Sequence, residues 1–106
     1  MDAKIQERFE ARAKILKALA HPTRLFIVDV LSQEKKCVCE LTELIGVDMS
    51  TVSKHLSILK NAGILQSEKH CSQVFYSLRM PCVCNFFGCI ESVMNTLAEE
   101  QRELVG

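Results

Sequence analysis

Six cysteines lie in 106 residues, and five of them fall into two clusters: Cys37 with Cys39, and Cys82 with Cys84 and Cys89. Each cluster contains a Cys-Val-Cys triplet, at 37–39 and at 82–84, while Cys71 stands apart. Thiolates grouped in this way suit a soft, thiophilic ion. A pair of thiols can also close a disulfide or a sulfur bridge, so redox or persulfide sensing is the competing chemistry. The third reading of any of these positions is an inert buried thiol. Cys37 and Cys39 are expected at a helix N-terminus beside Lys35 and Lys36, where the helix dipole and two ammonium groups favour the ligating thiolate. An i, i+2 pair is rotated by roughly 200° on a helix, so both sulfurs reach one ion only if the first turn distorts. Cys82 and Cys89 share a helical face but stand about 10.5 Å apart along the axis, so there too the first turn must open. Pro81 puts Cys82 and Cys84 in a first turn expected to have free amides and to open at little cost.

In a secreted chain an even cysteine count would imply a disulfide framework. The first 17 residues instead mix Lys4, Arg8, Arg12, Lys14 and Lys17 with Asp2, Glu7 and Glu10, without the apolar segment of a signal peptide. No apolar run approaches the roughly 20 residues of a membrane span. A cytoplasmic location with free thiols and no membrane partner is therefore expected. An apolar content of 48% with 25% charged residues excludes a disordered chain, and 106 residues make one domain. The sequence has no phosphate loop, nucleophile–base constellation or catalytic carboxylate pair, so no enzyme is expected.

The elements that must position these thiols follow from periodicity. Ile5, Phe9, Ile15, Leu16 and Leu19 mark a first amphipathic helix ending near Leu19. Pro22 suits the first turn of the next helix, with His21 as its cap, and residues 25–31 are apolar enough for that helix to be buried. Residues 32–36 form a polar connection. A short helix over 37–45 closes at Gly46, and Asp48 caps a helix over 49–61 whose Val52, Leu56 and Leu59 face inward. Ser50, Thr51, Ser53, Lys54, His55 and Lys60 supply its polar surface. Two short helices joined by Gly46-Val47-Asp48 read as a helix-turn-helix. The apolar Ile64-Leu65 and Val74-Phe75-Tyr76 flank a polar stretch, 67–73, and predict a hairpin, hence a wing. After Pro81, a wide stripe of Val83, Phe86, Phe87, Ile90, Val93, Met94 and Leu97 predicts a final helix to about Leu104, broad enough to need a partner helix.

Charge sharpens this organisation. The chain is neutral overall, yet residues 50–79 hold Lys54, Lys60, Lys69 and Arg79 against Glu68 alone, a net +3. Residues 80–106 hold Arg102 against four glutamates, a net −3. The helix and wing that would meet phosphate are the basic part.

Four segments then resemble the ArsR/SmtB family of metal-responsive repressors, specifically its arsenical-resistance type. They are Ala18-Leu19-Ala20-His21-Pro22-Thr23-Arg24-Leu25, Cys37-Val38-Cys39-Glu40-Leu41, Val52-Ser53-Lys54-His55-Leu56, and Asn61-Ala62-Gly63-Ile64-Leu65 with Phe75-Tyr76-Ser77-Leu78. The resemblance implies a mainly α fold with a small β-hairpin: a winged helix-turn-helix of about five helices, homodimeric through its first and last helices. Residues 1–20 and 81–106 would be the dimerisation helices, 37–62 the helix-turn-helix and 63–79 the wing of a single domain. It implies a repressor of double-stranded operator DNA, and a two-fold dimer would read an inverted repeat. Ser50, Thr51, Ser53 and His55 are expected near base edges; Lys54, Lys60, Lys69 and Gln73 are expected nearer phosphate or minor groove. No cofactor would be permanently bound. The inducer would be As(III), with Sb(III), Cd(II) and Pb(II) as further thiophilic candidates, held by Cys37 and Cys39 or by Cys82, Cys84 and Cys89. Strain at the thiol-bearing helix would pass to the recognition helix, which follows it directly. The sequence departs from the family pattern in three places. Thr42 stands where arsenite sites of the best-known type have a third Cys, Met49 stands where many relatives have Gln, and the final helix lacks the His of zinc sensors.

Overall fold

The computed structural model describes residues 1–105. It contains α1 (Ala3–Leu19), α2 (Pro22–Leu31), β1 (Lys36–Cys37), α3 (Val38–Ile45), α4 (Met49–Asn61), β2 (Leu65–His70), β3 (Gln73–Leu78) and α5 (Val83–Val105). The starts of α1, α2 and α4 each have a local cause. Asp2 accepts from the Ile5 amide at 2.9 Å to cap α1. His21 accepts from the Thr23 amide through Nδ1 at 3.1 Å, and Pro22 follows at the first helical position of α2. Asp48 caps α4. Gly46 closes α3 in the left-handed region, with φ 82°, where a Cβ would be strained.

One core holds the helices together. Ala18 and Leu19 of α1, Ile27, Val28 and Leu31 of α2, Leu41 of α3, Val52, Leu56 and Leu59 of α4, and Ile64 and Leu65 are buried in a single cluster. The periodicity that predicted α4 therefore points its apolar stripe at α1 and α2, leaving the opposite face to solvent.

The sheet is larger than the sequence suggested. Its order is β1-β3-β2, antiparallel throughout, because Lys36 and Cys37 pair with Tyr76 and Phe75. Residues 36–37 thus end the expected connection as a strand, and α3 begins one residue later than expected. The polar stretch 67–73 is mostly strand as well. Each residue from Leu65 to His70 faces a partner on β3, which leaves Cys71 and Ser72 as the turn. Cys71 takes φ 58° there, a position that favours glycine.

The last helix stands apart from the core. Val83 and Phe87 pack against the core cluster, but no residue of α5 is buried. Phe86, Val93, Met94 and Leu97 remain 49–58% exposed, and Phe9 and Leu16 of α1 are each 49% exposed. Among the described residues, no helix is long and apolar enough to cross a membrane.

Candidate nucleic-acid interface and thiol clusters

The outward surface of α4 is built on a tight N-terminal cap. Asp48 Oδ1 accepts from the Thr51 hydroxyl at 2.7 Å, and Oδ2 accepts from the Thr51 amide at 3.2 Å and from the Ser50 hydroxyl. These bonds, that from Ser50 first, hold the Asp48 carboxyl down at about 2. Ser50 and Thr51, expected near base edges, therefore spend their hydroxyl protons on the cap in the free protein. Lys54 is exposed and Ser53 half-buried; the exposed Ser57 lies beside them, three residues from Lys54 and four from Ser53. Sequence reading omitted Ser57, although that spacing from Lys54 and Ser53 was visible in the sequence.

His55, expected near base edges, is half-buried and turned toward the junction of α1 and α2. Its ring centroid lies 4.6 Å from that of His21, and Arg24 Nη1 lies 3.4 Å from its Nδ1. The physical reason is helical position: residue 55 directly precedes the core residue Leu56 and follows Val52 by three, so it sits on the flank of the buried stripe. Arg24, which sequence reading left without a role, also donates from Nε to the Ala18 carbonyl at 2.6 Å. It thereby ties α2, α1 and α4 together.

Lys60 reaches from the end of α4 to the wing and donates to the Ser67 hydroxyl at 2.7 Å. Lys69 and Gln73 are exposed near the hairpin tip, on strands paired His70 to Gln73. Among the described residues, the ion pairs involve none of Lys54, Lys60, Lys69 and Arg79. The helix and the wing thus each present exposed lysines, Lys54 and Lys60 on the one and Lys69 on the other.

The thiols do not converge. All six cysteines are free. Cys37 is buried, paired with Phe75 in the sheet, and forms the N-cap of α3, while Cys39 is exposed. The two thiols of this triplet therefore differ in exposure, and Cys37 lies outside the helix rather than on its first turn. The two lysines expected to favour thiolate are engaged elsewhere: Lys36 pairs with Glu34 at 2.7 Å, and Lys35 lies 5.7 Å from the centre of the Phe75 ring. Glu40 accepts from the Cys37 amide at 3.1 Å. That amide first, then the Cys37 thiol, hold the Glu40 carboxyl below its ordinary value.

Cys82 is exposed and precedes α5 rather than lying within it, and Cys89 is exposed on the helix. The amides expected to be free are bonded: those of Val83, Cys84 and Asn85 donate to the carbonyls of Met80, Pro81 and Cys82 at 3.1–3.2 Å. Opening this turn therefore breaks hydrogen bonds. Cys84 lines a groove of about 550 Å³ with Leu25, Phe87, Ile90, Met94 and the carboxylates of Asp29 and Glu91. Among the described residues, no group of three His, Cys, Asp or Glu side chains is gathered closely enough to hold a metal ion.

A short helix-turn-helix followed by an antiparallel wing, both carrying exposed lysines, defines a winged helix-turn-helix DNA-binding domain. Comparison with known proteins agrees. The family described as "Bacterial regulatory protein, arsR family" matches residues 21–67. The chain is 39% identical over 71 residues to an uncharacterized HTH-type transcriptional regulator of Methanocaldococcus jannaschii, a span of 66% of this chain and 80% of that protein. It is 45% identical over 67 residues to the cadmium resistance transcriptional regulatory protein CadC homolog of Staphylococcus aureus, covering 62% of this chain and 55% of that protein. In fold it is similar to the homodimeric winged helix-turn-helix DNA-binding domain from Mycobacterium bovis solved by NMR, with a TM-score of 0.80 at 24% identity over 94% of this chain and 93% of that one. The chain belongs to the arsR family of bacterial regulatory proteins. It is a transcriptional regulator and not an enzyme.

Proposed function

We propose that this protein is a homodimeric transcriptional repressor that leaves its operator when a thiophilic ion, As(III) in the first instance, is bound by cysteine thiolates. The observation that carries the reading is the position of Cys37. It joins β1 to β3, forms the N-cap of α3, and lies in the helix-turn-helix that ends in α4. Drawing its sulfur out of burial toward the exposed Cys39 would open the strand pair and the cap together, which alters the support of the recognition helix. An ion that binds this opened state more tightly than the DNA-bound state lowers DNA affinity by the same factor. Cys82, Cys84 and Cys89 supply the second candidate cluster, at the foot of α5. The apolar faces of α1 and α5 support a two-fold dimer, and such a dimer would present two copies of α4 to an inverted repeat. The cadmium-resistance regulator among the relatives is in keeping with a metal inducer, with Sb(III), Cd(II) and Pb(II) as further ions of the same softness.

The test uses the reduced full chain and a duplex that it selects from a random pool. Arsenite is expected to release the duplex from the wild type and not from one of two variants, Cys37→Ser with Cys39→Ser, or Cys82→Ser with Cys84→Ser and Cys89→Ser. Release by an oxidant or persulfide, with no response to arsenite, Sb(III), Cd(II) or Pb(II), overturns the metal reading in favour of thiol redox sensing. A normal arsenite response in both variants overturns the assignment of the site.

A further inference from the structure

The contact between His21, Arg24 and His55 has chemistry that neither DNA reading nor thiol sensing uses. Arg24 donates from Nε to the Ala18 carbonyl, which fixes its guanidinium at the α1–α2 junction. Its Nη1 lies 3.4 Å from His55 Nδ1. A guanidinium carries only donors, so this contact is a hydrogen bond only while Nδ1 of His55 is unprotonated. His21 is under the same demand, because its Nδ1 accepts the Thr23 amide and caps α2. The two rings stand 4.6 Å apart, tilted by 48°. A proton on His55 would turn the acceptor into a donor and set a second positive charge against Arg24.

The surroundings offer that charge little relief. Helix α4 packs on α1, α2, α3 and β2. On α2 and its cap, Arg24 and His21 are the groups that bear on the ring. On α1, Lys14 and Lys17 line a groove with Ile58, Asn61 and Ala62, at the far end of α4. On α3, Glu40 and Glu43 lie with Lys36, and on β2, Glu68 pairs with His70 at 3.4 Å. Burial first, then the nearness of His21 and Arg24, push His55 below its ordinary value of 6.5.

We propose that His55 is a proton-sensitive latch: neutral, it seats the recognition helix on the α1–α2 junction through Arg24 and His21, and protonated, it unseats that helix and weakens DNA binding. The proposal rests on the DNA-binding reading above. Its sign is distinctive. An imidazole lying among phosphates would gain from protonation and tighten binding in acid. The latch does the reverse. The seated form favours neutral His55, so its contribution is complete above the ordinary histidine value and is lost as the pH falls through the depressed one. With one latch in each protomer of a dimer, release takes up as many as about two protons, and affinity falls by up to roughly a hundredfold per pH unit in that window.

The experiment follows the affinity of the full chain for its selected duplex from about pH 7.5 to about pH 5.5 at fixed salt, in a His70→Gln background that removes the wing imidazole. The expected loss is about tenfold or more, His55→Gln is expected to abolish the pH dependence, and His21→Asn, which keeps a capping side chain, is expected to make the loss smaller. Affinity that holds or rises in acid, or an equal fall in His55→Gln, overturns the latch. NMR titration of the His55 ring in the otherwise unsubstituted chain must show protonation below the ordinary histidine value, and titration at or above that value also overturns it. If no duplex is selected at any pH, the DNA-binding reading fails separately. The thermal midpoint then decides the latch: a larger fall in acid for the wild type than for His55→Gln supports it, and equal falls overturn it.

Discussion

Lys54 on α4 and Lys69 near the wing tip are exposed, and neither takes part in an ion pair among the described residues. If each meets one phosphate, replacing both by Gln removes four contacts from a dimer. Each lost contact lowers the slope of log affinity against log salt by about 0.9, so the double variant should lose about 3.6 from that slope. Raising salt from about 50 to about 200 mM changes log salt by about 0.6, so over that interval the wild type should lose roughly 150-fold more affinity than the variant. Fluorescence anisotropy with a labelled duplex, titrated at four or more salt concentrations, measures both slopes. Both substitutions are at the surface and should leave the thermal midpoint in place, so a change in slope reports DNA contact rather than folding. Equal slopes for wild type and variant would refute phosphate anchoring by these two lysines, however much the absolute affinity moved.

Three further outcomes follow from the structure. Cys71→Gly relieves a left-handed turn position and should stabilise the fold by about 1 kcal/mol, raising the thermal midpoint by roughly 4–8 °C, whereas Cys71→Ala keeps the Cβ and should not. The Asp48 carboxyl sits at about 2 against an ordinary 3.8, so its contribution is complete above pH 3.8 and fades as the pH falls toward 2. Asp48→Asn, which can still cap, should lose that acid dependence in thermal unfolding, and an unchanged acid limb would count against the cap as its source. Replacing Met94 and Leu97 together by Lys puts charge on the exposed stripe of α5 and should yield monomers in analytical ultracentrifugation; a persistent dimer would place the interface elsewhere.

The sequence by itself determined the helices, because each has a signal confined to neighbouring residues. Asp48, the Val52-Leu56-Leu59 stripe and Gly46 are caps and periods that act over a single turn, and they place the helix-turn-helix correctly. Segmental charge likewise needs only composition, and it assigns the excess of cations to residues 50–79. Tertiary structure decided what depends on residues distant in the chain. The pairing of Cys37 with Phe75 buries one thiol of a triplet whose other thiol is exposed, and no local pattern announces a two-residue strand. The polar stretch 67–73 predicted a hairpin without fixing its turn; backbone pairing with β3, which is indifferent to side-chain polarity, carries the strands through it to a two-residue turn. His55 had the composition of a base reader. Only the packing of α4 on the α1–α2 junction, 31 residues from Arg24 along the chain, turned its ring inward. A polar residue on the flank of an apolar stripe can face either way, and the neighbouring helix decides which.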